Sequence, residues 1–202
     1  NDTPAMLIKG TLVKGDYKKF KDEIFKSEPL YIIFSSNGGL LTEGLDIGYT
    51  IYQLELITIV PDNFLCASSC ALAWLGGKKR YMSKGSKVGF HAAYIREGNY
   101  TRETGVGNAF VGAYLRDIGI NLKAIEFITR AHPDEIQWLT ARDAIGIGIE
   151  VLSINETLLG AKSQNNKIID PEFLGDFETA KLAATNFWDD YNNGGIAKLS
   201  YS

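Results

Sequence analysis

Ser68 stands where an irregular segment turns into the apolar run Cys66-Ala67-Ser68-Ser69-Cys70-Ala71-Leu72-Ala73-Trp74-Leu75. A serine hydroxyl is a poor nucleophile until a base takes its proton, and a helix start supplies partial positive charge and free backbone N–H groups for a developing oxyanion. Serine is also a common helix cap at such a position, so both roles are open to Ser68. The base has two candidates, because the chain has only two histidines, His91 and His132. His91 closes the strand-like Lys87-Val88-Gly89-Phe90, whereas His132 precedes Pro133 at a helix end, where a cation facing the last carbonyls is the ordinary role. A second tight feature is Ser35-Ser36-Asn37-Gly38-Gly39, directly after an apolar run. Paired glycines let the backbone turn sharply and aim N–H groups outward, or simply make a strand-to-helix turn.

The two cysteines, Cys66 and Cys70, flank Ser68. They can serve as small buried hydrophobes or, in an oxidising compartment, close a disulfide that braces the serine turn. Neither has a lysine or arginine close in sequence to stabilise a thiolate, so neither is read as a nucleophile. A zinc site would need both cysteines and both histidines from scattered positions, and no metal or other cofactor is expected. No phosphate-loop or dinucleotide fingerprint is present.

These residues need a scaffold, and the hydrophobic pattern supplies one. Residues 5–13 read as a strand, Asp16 to Ser27 as a helix, Leu30 to Phe34 as a strand buried on both faces, and Leu41, Leu45, Tyr49 and Tyr52 as the apolar stripe of a helix. Ile57 to Val60 is another buried-type strand. Two strands, Lys79 to Met82 and Lys87 to Phe90, face each other across a Ser83-to-Ser86 turn. Val106, Phe110, Tyr114 and Ile118 mark a further helix, and Asn121 caps one that runs to His132. A short helix around Ala141 to Ala144 and a closing strand, Ile147 to Ile154, follow. Asp170-Pro171 begins a last helix carrying Phe173, Phe177 and Phe187. The alternation predicts an α/β protein.

With 202 residues, 45% hydrophobic and 22% charged, the chain can fold around one substantial core. Its 21 basic against 24 acidic residues give a net charge of −3, without the electrostatic footprint of a nucleic-acid binder. No apolar run approaches the roughly 20 residues that span a bilayer. The chain opens Asn1-Asp2-Thr3-Pro4 rather than with Met, as after removal of a leader or after trimming.

The two features share the order and spacing of one family. Phe34 to Ile51 resembles the motif I-N-S-P-G-G-x-x-x-x-G-x-x-I-Y of the Clp protease proteolytic subunit, and Cys66-Ala67-Ser68-Ser69-Cys70-Ala71, Gly77-Lys78-Lys79-Arg80 and Val88-Gly89-Phe90-His91 resemble its A-A-S-M-G-A, G-K-R and V-M-I-H blocks. The cysteine-flanked serine block is most similar to the periplasmic, ClpP-like branch. The resemblance covers roughly residues 5–152 and implies a ClpP/crotonase-like superhelix of repeated strand-helix units, with 153–202 as a helical C-terminal extension. It implies a serine peptidase with Ser68 as nucleophile, His91 as general base, Gly39 and Ser69 amides as the oxyanion hole, and Ala92, Ala93 and Tyr94 along the substrate. The implied partners are a peptide or unfolded polypeptide and further copies of the chain, the latter in keeping with the apolar arm from Val106 to Arg130. The implied location is periplasmic or secreted, with a cytoplasmic one as the alternative.

The departures from the pattern are specific. Asn37 replaces the proline before the glycine pair, and Phe64 replaces a glycine before the serine block. Aligning Trp138-Leu139-Thr140-Ala141 with the family's F-L-S-A block puts the catalytic aspartate position on Ile136. Asp134, on the same strand face, is then the candidate acid. An orienting carboxylate fixes the tautomer of the base, so its absence keeps open a weakened, peptide-binding or scaffold protein. The same fold also admits a crotonase-type acyl-coenzyme A enzyme.

Overall fold

The structure is a computed structural model and describes residues 4–98, 100–154 and 195–199. Strands β1 (Ala5–Leu12), β2 (Tyr31–Gly39), β3 (Ile57–Val60), β5 (Lys79–Ser83) and β10 (Leu152–Ile154) lie in one parallel array, ordered β1-β2-β3-β5-β10. Between them run α1 (Asp16–Ser27) and α2 (Leu41–Gln53). The far end of β2 leaves this array: Ser36 pairs with Cys66 of β4 (Leu65–Ala67), which pairs in turn with β6 (Lys87–Phe90), and β6 with the antiparallel β9 (Gln137–Leu139). The sheet therefore curls around the end of β2, the Ser35-to-Gly39 segment. A sixth strand, β11 (Gly195–Leu199), lies antiparallel on the outer edge of β1. The predicted helix from Pro171 lies outside the described residues.

Burial on both faces explains the continuous apolar runs. Met6, Ile8, Ile32 and Phe34 enter a core with Trp74 and Phe90, while the alternate residues Leu7, Tyr31 and Ile33 join Ile59 and Tyr81 on the opposite face. Helix α3 (Ser69–Leu75) is buried at all seven residues. The helices α4 (Gly105–Asp117), α5 (Leu122–Thr129) and α6 (Ala141–Ile147) complete the order. Asn121 caps α5 through Ala124 N, as its type predicts. Among the described residues no helix is long and apolar enough to cross a membrane.

Three expectations are corrected. The strands β5 and β6 do not form a hairpin: β5 pairs with β3 and β10, β6 with β4 and β9. The Ser83-to-Ser86 turn thus hands the chain from one part of the sheet to the other. In α2 the buried face is Gly44, Ile47, Gly48 and Ile51, with Tyr49 and Tyr52 over 40% exposed. The glycines decide this, since a Cβ on Gly44 would meet Ser69 backbone and one on Gly48 would meet Ala73 and Tyr114, so α3 packs closely where side chains are absent. In α4, residues four apart drift about 40° around the axis, so Tyr114 is buried while Val106 and Phe110 stay exposed.

Candidate active site

Ser68 is the residue between β4 and α3, and its backbone sits at φ 57°, ψ −130°. A positive φ is costly for a residue with a Cβ and persists only where the surroundings enforce it. Several constraints do so. Ser68 N–H donates to Gly89 O at 2.9 Å, and Ser68 O accepts from Leu72 N at 3.1 Å. A Cβ on Gly38, itself at φ +89°, would lie 2.6 Å from Ala67 O and 2.7 Å from Ser68 Cβ. A disulfide joins Cys66 and Cys70, with 5.3 Å between their Cα atoms, and both residues are fully buried. Between the two open roles of the cysteines the structure has both: buried, and bonded to each other around the serine.

Ser68 occupies the N-cap position of α3 but its side chain makes no capping hydrogen bond. Its hydroxyl is therefore not spent on the helix, unlike those of Thr104 and Thr140, which cap α4 and α6. The hydroxyl of the next residue, Ser69, is buried without a hydrogen-bond partner.

The end of β2 and the start of α3 meet at this turn. In the β1–β2 ladder Leu12 is opposite Gly39, and Leu12 O accepts from Leu40 N at 2.9 Å. Successive amides of a strand point to opposite edges, so Gly39 N–H points away from β1, to the edge where β4 and Ser68 lie. Ser69 N–H belongs to the first turn of α3, where amides have no intrahelical acceptor, and a Cβ on Gly38 would come within 3.0 Å of it. Gly38, by lacking a side chain, lets the end of β2 approach Ser68 and Ser69 this closely.

His91 follows β6, the strand that receives Ser68 N–H one residue pair earlier. Its Nδ1 lies 2.8 Å from Ala92 O, and its ring stands 5.4 Å from that of Tyr94. A carbonyl oxygen only accepts, so Nδ1 is the donor in this contact. Among the described residues no hydrogen bond joins Ser68 Oγ to His91; catalytic hydrogen bonds are often long before substrate binds.

Asp134, the candidate acid, bonds other partners than His91. Asp134 Oδ1 accepts from Thr101 Oγ1 at 2.6 Å, and Oδ2 lies 3.5 Å from His132 Nδ1. Asp134 is thus tied to His132 and to the hairpin of β7 (Tyr94–Glu97) and β8 (Tyr100–Glu103), not to the Nδ1 of His91. His132 faces Asp134 instead of the last carbonyls of α5. At the aligned acid position, Ile136 packs with Trp138 over Gly89, where a Cβ on the glycine would lie 2.5 Å from Ile136 Cγ2. An apolar side chain fills the place expected for the carboxylate. An open cavity of about 440 Å³, lined by Arg96, Gly98, Tyr100, Thr101 and Asp134, adjoins the hairpin and shares only Asp134 with the predicted site.

The segment expected along the substrate is partly committed within the chain. Ala92 N donates to Ala131 O at 2.8 Å, Ala93 N to Asn108 Oδ1 at 2.7 Å, and Ala93 O accepts from Thr104 N at 2.8 Å. Neither alanine keeps a free N–H for strand addition, so Tyr94, exposed beside the His91 ring, is the first residue of the three open to a ligand. Sequence reasoning did not single out Asn108, because its spacing from His91 carries no periodic signal. The exposed β7–β8 hairpin, which brings Asn108 close, was equally unmarked.

A parallel sheet that curls around the end of β2, with the buried helix α3 against it, is the fold of ClpP-like proteases. Solved structures agree. No protein-family model and no curated protein sequence matches the chain. A serine-to-alanine mutant of the 1510-N membrane-bound stomatin-specific protease superposes with a TM-score of 0.58 at 23% identity, over 77% of this chain and 81% of that chain. A lysine-to-alanine mutant of the same protease, in complex with a substrate peptide, gives 0.57 at 23%, over 77% and 76%. The ClpP protease catalytic domain from Plasmodium falciparum gives 0.52 at 18%, over 84% and 89%. At these identities the likeness establishes the fold.

Proposed function

We propose that the protein is a serine peptidase that acylates Ser68. The observation that carries this reading is the backbone of Ser68, held at positive φ by four separate constraints while its hydroxyl makes no cap. His91 Nε2 takes the Oγ proton as Oγ attacks the scissile carbonyl, and the developing oxyanion lies between the Gly39 and Ser69 amides. The protonated imidazole then gives its proton to the leaving amine; water, deprotonated by the same nitrogen, attacks the acyl carbon, and the imidazole returns that proton to Ser68 Oγ as the acyl–Oγ bond breaks. Extended peptides enter past Tyr94. The buried disulfide supports an oxidising compartment, periplasmic or extracellular, and the exposed Val106 and Phe110 on α4 support association between copies of the chain.

A fluorophosphonate probe tests the mechanism. Wild type labels at one site and Ser68→Ala does not. Equal labelling of both proteins, or of neither, overturns it and favours a peptide-binding protein, the reading that Ile136 at the acid position would then support.

A further inference from the structure

Among the described residues no carboxylate meets His91, yet one is connected to it through two amides. His91 Nδ1–H donates to Ala92 O at 2.8 Å. That carbonyl and Ala93 N–H belong to one planar peptide group, and Ala93 N–H donates to Asn108 Oδ1 at 2.7 Å. Asn108 Nδ2 donates in turn to Glu103 Oε1 at 2.6 Å. Two amides thus lie head to tail between the imidazole and a carboxylate, each accepting at one end and donating at the other. In such a chain every bond polarises its neighbours in the same direction, and the anionic end strengthens the acceptor that faces Nδ1. The orientation of Asn108 is determined, because the flipped amide would set a donor against Ala93 N–H and an oxygen against the carboxylate.

We propose that Asn108 and Glu103 are positioning residues for His91, which replace, through the Ala92–Ala93 peptide, the orienting carboxylate that Ile136 displaces. The proposal rests on the reading of Ser68 and His91 as nucleophile and base, and deepens it. The relay holds the Nδ1–H tautomer, the one that presents a basic Nε2, and fixes the plane of the ring. Flanking bonds, Ala92 N to Ala131 O and Thr104 N to Ala93 O, keep the peptide from rotating out of line. Glu103 is exposed, so solvent screens it and its share is smaller than that of half-buried Asn108.

With only two histidines in the chain, ring ¹⁵N shifts of the uniformly labelled protein report the His91 tautomer without substrate. Wild type shows Nδ1–H. Asn108→Leu moves His91 toward Nε2–H and slows fluorophosphonate labelling roughly tenfold; Asn108→Asp, which keeps an acceptor for Ala93 N–H, restores both. Glu103→Gln, a surface change that leaves folding intact, slows labelling about twofold and moves the tautomer in the same direction. Nε2–H in wild type overturns the proposal, as does a tautomer indifferent to both Asn108→Leu and Glu103→Gln. Absence of labelling in wild type removes the hydrolase reading alone, since the tautomer is measured independently of it.

Discussion

The two halves of the candidate site are built by different means. The serine half is covalent and steric: a disulfide around Ser68, Gly38 against Ala67 and Ser68, Gly44 against Ser69, and a helix buried on all sides. The histidine half is a strand end held by hydrogen bonds to an exposed hairpin and to the first turn of α4. The difference follows from what each half must do. A nucleophile at positive φ stores local strain, which only close packing can sustain. A base needs its ring orientation and tautomer fixed, which hydrogen bonds supply, and it must stay accessible to the proton it moves.

The contrast predicts how each half fails. On the serine side, Gly38→Ala combines a left-handed φ with a clash against Ala67 O and Ser68 Cβ, so it lowers stability by about 3 kcal/mol. Chemical denaturation reads this as a lower midpoint. An unchanged midpoint would mean the turn has slack. Replacing Cys66 and Cys70 together by alanine costs about 2 kcal/mol, because the closed loop is short, and labelling of Ser68 falls with it. If thermal melting shifts while labelling does not, the disulfide serves the fold rather than the turn. Tyr114 donates from a buried hydroxyl to Leu72 O at 2.9 Å, and burial pushes that phenol well above its ordinary pKa. Tyr114→Phe leaves the carbonyl of α3 without this donor and costs about 1 kcal/mol. On the histidine side, Thr101→Val removes an exposed bond to Asp134 and changes stability by no more than about 0.5 kcal/mol. Labelling stays at the wild-type rate because Asp134 does not contact His91; a large loss of labelling would return Asp134 to the catalytic set.

The same contrast marks what was legible in the sequence. The serine half is local: strand, glycine pair, serine and flanking cysteines lie in short blocks with residue types that few other roles require, and the strands around them are continuous apolar runs. The histidine half depends on side chains brought together by a hairpin with no apolar face, whose residues Tyr94 to Glu97 are all exposed. Hydrophobic periodicity has nothing to detect there, so Asn108 and Glu103 carry no signal, and Asp134 is reached only by aligning the Trp138-to-Ala141 block and stepping back along a strand face from Ile136. The misread pairing of β5 and β6 has a related cause. A tight turn between two short strands looks like a hairpin locally, and only the crossover of a curled parallel sheet explains why each strand pairs elsewhere.

The central claim is that Ser68, facing the Gly39 and Ser69 amides, is the nucleophile. A crystal structure of the fluorophosphonate-treated protein tests it most directly. The account predicts phosphorus bonded to Ser68 Oγ, a phosphonyl oxygen within hydrogen-bond distance of the amides of Gly39 and Ser69, and His91 Nε2 facing the adduct. A phosphonyl group on any other residue, or one on Ser68 with its oxygen turned away from both amides, would contradict it.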